Sequence, residues 1–257
     1  MDAATQTKPV KINRWLPYWA VLQADIQQTL RSWVYRTWLL ISVLASAGYL
    51  LYMLGPYREV GLIQHDSVYF SELLRWTLIG GVPLIIVMTV GSISSERGTM
   101  ADSVLSRGIS RYQYFLGKWH ARLVTVVGTF LAMGAAALVA TYFLLHEDLS
   151  LTGSAAALLM VAALLAAVSS WGVAVSAVSN STVVGIAVVW IAVYGGGVVL
   201  SILPSSVPSP TGLLRILPHV LHGEFSWNAV GRLAGWSGAA SGVAALIGLG
   251  YFARRDV

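Results

Sequence analysis

The chain has 257 residues, of which 56% are hydrophobic and only 11% are charged, and its mean hydropathy is +0.71. A soluble domain carries about 25% charged residues, so this composition excludes an ordinary soluble enzyme, a disordered protein and a fibrous protein. The net charge is +5, and the absence of cysteine excludes a disulfide, a thiolate metal site and a cysteine nucleophile.

Residues 1–36 are predicted to form a cytoplasmic segment that contains an amphipathic helix. Its apolar side chains recur at helical spacing, at Leu22, Ile26, Leu30 and Trp33. Pro17 suits the first turn of this helix, and its tryptophans favour the interface of a membrane. The alternative is that the segment extends the first membrane span into the cytoplasm.

Six apolar stretches are each long enough to cross a bilayer, which requires about 20 residues. They are about 37–54, 76–93, 123–145, 151–178, 182–203 and 233–253. Between Arg122 and Arg215 the only charged residues are Glu147 and Asp148, which indicates a segment in lipid or in the core of a membrane bundle. The sequence therefore predicts an all-α polytopic membrane protein, with one six-span transmembrane domain over residues 37–257.

Lysine and arginine are distributed unevenly between the two predicted sides. Twelve of the sixteen lie in the N-terminal segment, in the loop 94–122 and in the C-terminal tail. By the positive-inside rule these regions are cytoplasmic, so both termini are expected in the cytoplasm. The chain is expected in the cytoplasmic (inner) membrane of the cell.

The loop 94–122 is the one long, well-charged connection between spans. It is predicted to contain a short helix with an apolar stripe formed by Met100, Val104 and Leu105. Gly108 ends this helix, and Ser110 is placed to cap the next one, which starts near Arg111 and continues into the third span. A compact helix held against the membrane in this way has the shape of a docking element for a cytoplasmic partner.

The connection 204–232 is expected on the outer side, where an apolar stretch too short to span predicts an interfacial or re-entrant helix. It contains His219 and His222, with Glu224 close by. Two imidazoles on one helix face can meet a metal, but a third fixed ligand is missing, so no metal site is predicted.

The last span contains two small-xxx-small patterns, formed by Gly231 with Gly235 and by Gly238 with Gly242. Small residues let helices approach closely in lipid. The patterns predict helix packing, either inside the bundle or between two copies of the chain.

Several chemistries are absent from the sequence. There is no G-x-x-x-x-G-K-[ST] phosphate loop and no H-E-x-x-H zinc motif. The serine of the pattern Gly235-Trp236-Ser237-Gly238 has no histidine base after it. No ionisable residue lies in mid-span, which argues against an ion-coupled secondary transporter. The chain is therefore expected to be no enzyme and to hold no cofactor of its own.

The cytoplasmic loop resembles a hallmark of permease subunits of type-2 ATP-binding-cassette (ABC) exporters, E-x-G-T…L-L-S-x-P-[IV]-S-R…G-K. The matching residues are Glu96-Arg97-Gly98-Thr99, Val104-Leu105-Ser106-Arg107, Ile109-Ser110-Arg111 and Gly117-Lys118, with Gly108 where the family often has proline. The tail Phe252-Ala253-Arg254-Arg255-Asp256 is similar to the F-x-R-R-D ending common there. Within the family the chain looks like the subgroup that includes permeases for copper-enzyme maturation, as in nitrous oxide reductase assembly.

The resemblance implies a pair of permeases, as a homodimer or a heterodimer, with two separate ABC ATPase subunits bound beneath them. Those ATPase subunits would hold ATP and Mg. The permease would lie in the lipid bilayer, and no nucleic acid is expected to bind it. Glu96 to Thr99 would open the coupling element, and Met100, Val104 and Leu105 would be its contact face. Arg107, Ser110, Arg111 and Lys118 complete the residues that the resemblance assigns to coupling. The alternatives are a non-transporting scaffold or sensor that uses the same loop, and a secondary transporter.

Overall fold

The structure is a computed structural model that describes residues 15–60, 66–96, 109–145, 149–202 and 209–254. Within these ranges every regular element is helical and there is no strand. The helices are α1 Leu16–Arg31, α2 Trp33–Val60, α3 Asp66–Trp76, α4 Val82–Ser94, α5 Arg111–Leu145, α6 Leu151–Val178, α7 Thr182–Ile202, α8 Pro210–Leu221 and α9 Trp227–Arg254. A π-helical turn, Thr77–Gly81, joins α3 to α4 without interruption.

Among the described residues, six helices are long and apolar enough to cross a membrane, which confirms the predicted all-helical, multi-span class. They are Trp33–Tyr52, Ser67–Ser94, Arg111–Phe143, Leu151–Val178, Thr182–Ile202 and Trp227–Arg254. The second continues beyond the predicted span, because its helix begins at Asp66 rather than near residue 76. The helix of the third span begins at Arg111, which confirms the predicted start of the helix that continues into this span. Charged side chains near the start of each helix lower the local hydropathy but do not interrupt the backbone hydrogen bonds.

The N-terminal helix α1 is separate from the first spanning helix α2. Ser32 adopts extended backbone angles, φ −66° and ψ 145°, between the two. Pro17 lies in the first turn of α1, where its missing N–H removes no intrahelical bond. The chain therefore changes direction at Ser32, and α1 is not an extension of α2.

The core lies between α4 and α6, which are the most buried of the spanning helices. α6 packs against α9, α4, α5 and α8. Gly172 of α6 lies so close to α4 that a Cβ there would overlap the Thr89 hydroxyl. Small residues at such a contact allow the backbones to approach, which in lipid replaces the hydrophobic driving force of a soluble core.

The short helix α8 covers one end of the bundle, the predicted outer end. Its buried side chains are Leu213, Leu217, Val220 and Leu221. The Ser150 N–H at the start of α6 donates to the Leu221 carbonyl at 3.0 Å. The predicted outer connection thus contains a 12-residue helix that packs on α3, α6 and α7, although it is too short to span.

Candidate functional site

Four charged side chains meet where α1, α4 and α5 come together. Asp25 of α1 accepts from Lys118 Nζ of α5, with 2.7 Å between Nζ and Oδ1. Arg122, one turn further along α5, donates from Nη2 to the same Oδ1 at 3.3 Å and places Nε 3.2 Å from Oδ2. The side chains of Asp25, Lys118 and Arg122 are 1%, 4% and 9% exposed. Asp25 therefore binds two cations in a site from which water is nearly excluded.

Glu96 completes this group from the end of α4. Its Oε1 accepts from Lys118 Nζ at 2.7 Å, and its Oε2 accepts from the Tyr114 hydroxyl at 2.7 Å. We call Asp25, Glu96, Lys118 and Arg122 the charge quartet. Two carboxylates and two cations make it formally neutral, which is the condition under which buried charges are tolerated.

The ionisation of Glu96 follows from these contacts. Partial burial raises the pKa of the Glu96 carboxyl, but the attraction of Lys118 and hydrogen bonds from Lys118, Tyr114 and Gln28 act in the opposite direction. The attraction of Lys118 and the hydrogen bonds together outweigh the effect of burial, so the pKa of Glu96 lies below its ordinary value. Glu96 is therefore a carboxylate at neutral pH and keeps its bond to Lys118.

The quartet belongs to a wider contact that fixes α1 along α5. Val21, Asp25 and Thr29 recur every four residues and are the buried residues of α1. Gly117 of α5 lies opposite Val21, and a Cβ at Gly117 would be 2.8 Å from Val21 Cγ1. One turn away, the Tyr18 hydroxyl lies 2.9 Å from His120 Nδ1. The helices thus meet through one apolar contact flanked by polar ones.

The other sides of α1 are largely exposed within the part of the chain that the structure describes. An apolar side carries the exposed residues Trp15, Trp19 and Leu30. A polar side carries the exposed residues Gln23, Gln27 and Arg31. The predicted stripe therefore does not pack into the bundle: Leu30 and Trp33 are exposed, and Leu22 and Ile26 are only partly covered.

Ser110 and Arg111 act on helix ends rather than within the quartet. Ser110 Oγ accepts from the Gln113 N–H at 3.2 Å, and Gln113 Oε1 accepts from the Ser110 N–H at 3.2 Å. This reciprocal pair is a capping box at the start of α5, so the prediction that Ser110 caps this helix is confirmed. Arg111 donates from Nη1 to the Ala253 carbonyl at 3.4 Å, near the end of α9, where a cation complements the helix dipole.

Of the residues assigned to coupling, the structure brings Glu96 and Lys118 into direct contact and places Ser110 and Arg111 at the base of α5. The remaining ones lie outside the described residues: Arg97, Gly98, Thr99, Met100, Val104, Leu105 and Arg107. The residues on either side of the segment 97–108 are nevertheless held together. Glu96, which precedes the segment, is bound by Lys118 of α5, the helix that follows it.

Three residues of this site were not predicted from the sequence: Asp25, Arg122 and Tyr114. The available signal was the spacing of Val21, Asp25 and Thr29, which puts a lone carboxylate on the same helical face as a β-branched residue on either side. An acid in the middle of such a face requires a cation from a neighbouring helix.

The two histidines at α8, His219 and His222, have different side-chain partners. His222 Nε2 lies 2.8 Å from the Ser67 hydroxyl of α3, whereas His219 Nδ1 lies 3.3 Å from Glu224 Oε2. Among the described residues, no three potential metal-ligating side chains come together.

Four glycines of α9, Gly231, Gly235, Gly238 and Gly242, border open space. A Cβ added at any of them would have no neighbouring atom within 4 Å. They lie within about 60° of one another around the helix axis, and they form what we call the glycine face. Within the part of the chain that the structure describes, this face packs against no other helix.

Comparison with known proteins gives no family assignment: neither a protein-family model nor a curated protein matches the chain.

Proposed function

We propose that the chain is the permease subunit of an ABC exporter in the cytoplasmic membrane, driven by separate ATPase subunits that dock on the loop 97–108. The observation that carries the proposal is the position of Glu96. It is the first residue of the motif that resembles the exporter hallmark, and it binds Lys118, the last residue of that motif. The first and last residues of the motif are therefore in direct contact.

The quartet gives this contact a mechanical role. A partner that pushes on the loop acts at one end on Glu96 and α4 and at the other end on α5. Lys118 binds both Glu96 and Asp25, so the same displacement also reaches α1. Separating buried ion pairs is strongly unfavourable. The three helices therefore move together, which is what conversion of ATPase closure into rearrangement of a membrane bundle requires.

The exposed sides of α1 fit a position on the cytoplasmic membrane surface. The side with Trp15, Trp19 and Leu30 would enter the interface, where tryptophan is favoured. The side with Gln23, Gln27 and Arg31 would face water and headgroups. With α5 on its third side, α1 would be an interfacial helix that follows the movements of the loop.

A second permease copy, identical or related, fits the glycine face of α9. In lipid, packing of small residues is a main source of helix association, and this face has no partner within the described chain. We therefore propose α9 as a contact between the two permeases. Gly235→Leu would weaken pairing, whereas Gly128→Leu on α5, where a Cβ also meets open space, is the matched control.

The test is affinity purification of the tagged chain from its host in mild detergent, followed by mass spectrometry. An ATPase that carries a phosphate loop, recovered in about equimolar amount, is the expected result. Recovery of the chain alone, or with a partner that is not an ATPase, would overturn the exporter and favour the scaffold or sensor.

A variant then tests the coupling role. In the reconstituted complex, Glu96→Gln should leave the ATPase bound but reduce the dependence of its turnover on the permease. Glu72→Gln is the matched control, because Glu72 pairs with Arg75 at 3.2 Å on an exposed surface of α3. Equal effects of the two substitutions would contradict a coupling role for Glu96.

A further inference from the structure

The second spanning helix departs from α-helical geometry at its π turn, Thr77–Gly81. In an α-helix the Ile79 carbonyl would accept from the N–H of residue 83, but Pro83 has no N–H. Two glycines, Gly80 and Gly81, make the preceding backbone unusually free. π turns inside helices are rare and occur frequently at functional sites.

The carbonyl released by Pro83 is occupied by a side chain from another helix. The Tyr194 hydroxyl of α7 donates to the Ile79 carbonyl at 2.9 Å. Lipid offers no water to satisfy such a carbonyl, so this bond between helices replaces the missing intrahelical one. It also attaches the turn to α7.

The two halves of this helix are held by different neighbours. The inner half, α4, is bound to α6, whose Ser176 Oγ accepts from the N–H groups of Ile93 and Ser94 at 2.9 Å. Ser94 Oγ also lies 2.8 Å from Thr182 Oγ1 of α7. The inner half is thus fixed to two other spans on the side where the chain continues into Glu96.

The outer half, α3, packs chiefly on the short helix α8 rather than on the bundle. At its far end the Ser67 hydroxyl lies 2.8 Å from His222 Nε2, just after α8. Among the described residues, three hydrogen bonds therefore hold α3 in its present position. One is at the π turn, one is at the outer end, and in the third the Tyr69 hydroxyl of α3 donates to the Ser46 carbonyl of α2 at 3.1 Å.

We propose that the π turn is a hinge about which α3 swings relative to α4, and that Tyr194 is the latch that holds it. A kink at a π turn reaches about 20°, and nine residues separate Val68 from Thr77, so the outer end of α3 would move by about 5 Å. Such a movement exposes the buried side of α3 while α4 stays packed.

The cysteine-free sequence allows a direct test by single-cysteine labelling in lipid nanodiscs. Ser71→Cys reports on the outer half and Ser92→Cys on the inner half. Both serines are buried, at 6% and 1% exposure, and the substitution changes little in size. The measured quantity is the rate of reaction with a water-soluble maleimide.

Tyr194→Phe removes only the latching hydroxyl. We expect it to increase the labelling rate at position 71 by about three- to tenfold, from the range measured for single interhelical hydrogen bonds in membranes, and to leave position 92 unchanged. Adding Pro83→Ala restores the missing N–H and should return the rate at position 71 toward that of the parent. Tyr142→Phe, on an exposed tyrosine of α5, is the control and should have no effect.

Three results would overturn the proposal. The first is an unchanged rate at position 71 in Tyr194→Phe. The second is an equal increase at position 92, which would indicate general loosening rather than a hinge. The third is a rate in the Tyr194→Phe, Pro83→Ala double variant that stays as high as in Tyr194→Phe, which would show that the missing N–H is not the reason for the latch.

Discussion

The charge quartet makes a sharp prediction for Asp25→Asn. The substitution preserves side-chain size but removes the charge that Lys118 and Arg122 share. Lys118 keeps Glu96 as a partner, whereas Arg122 is left with no carboxylate among its described contacts, and its side chain is only 9% exposed. Breaking a buried ion pair costs about 3–5 kcal/mol. Because half of the quartet survives, we expect the free energy of unfolding to fall by the lower figure, about 3 kcal/mol.

The assay is unfolding by sodium dodecyl sulfate in mixed micelles, followed by the fluorescence of the ten tryptophans. The matched control is Glu72→Gln, whose partner Arg75 is 53% exposed, and an exposed pair contributes at most about 1 kcal/mol. If Asp25→Asn were no more destabilising than Glu72→Gln, the assignment of a tight, buried quartet would be refuted.

A double-mutant cycle isolates the pair itself. Arg122→Gln removes the cation that Asp25→Asn leaves unpaired, so the double variant should be more stable than the sum of the two single effects predicts. Neighbours in one network show coupling of about 0.5–3 kcal/mol, and we expect a value above about 1 kcal/mol. Additive effects would mean that Asp25 and Arg122 do not interact in the folded protein.

Three further predictions concern the same region. Gly117→Ala places a Cβ 2.8 Å from Val21 Cγ1 and should lower the free energy of unfolding by about 1–3 kcal/mol in the same assay. The loss should be smaller when Gly117→Ala is combined with Val21→Ala. Gly128→Ala places its Cβ in open space and should be neutral or stabilising. Ser110→Ala removes a helix cap and should cost about 1 kcal/mol in that assay. Because the pKa of Glu96 is lowered in the folded protein, the Glu96 carboxylate stabilises the fold fully at neutral pH, and this stabilisation is lost as the pH falls through that pKa. Glu96→Gln should therefore make the free energy of unfolding less dependent on acid pH. An acid dependence equal to that of the parent would contradict the role of Glu96.

Much of the fold could be predicted because lipid imposes strong constraints on sequence. The six spans follow from hydropathy alone, and the cap at Ser110 follows from local chemistry. The start of α5 near Arg111 was also predicted, because Ser110 marks it. The start of α3 was not predicted, because a charge such as Glu72 ends an apolar stretch in the sequence without ending the helix. Hydropathy indicates where a chain is apolar, whereas a helix ends where its backbone leaves helical dihedral angles, so the two boundaries need not coincide.

The quartet itself was not predicted, and only two of its members, Glu96 and Lys118, were singled out from the sequence, for a related reason. Glu96 and Lys118 stand in a recognisable motif, but Asp25 is 93 residues from Lys118 and belongs to a segment judged by its apolar side. Lysine and arginine near a predicted span are expected on any membrane protein. Nothing local distinguishes a cation that meets water from one that meets a carboxylate on a distant helix.

Neutralisation of Lys118 and Arg122 also has a consequence for the order of events during biosynthesis. When the third span enters the membrane, positive charges at its start oppose translocation and set its direction. Once α1 packs along α5, Asp25 and Glu96 neutralise those charges and exclude them from water. On the proposed topology, Lys118 and Arg122 would therefore serve first as a topological signal and later as part of a structural joint. A third span that inserted with the opposite orientation would place Lys118 and Arg122 on the other side of the membrane from Asp25, so the correct orientation of this span is a precondition for docking of α1.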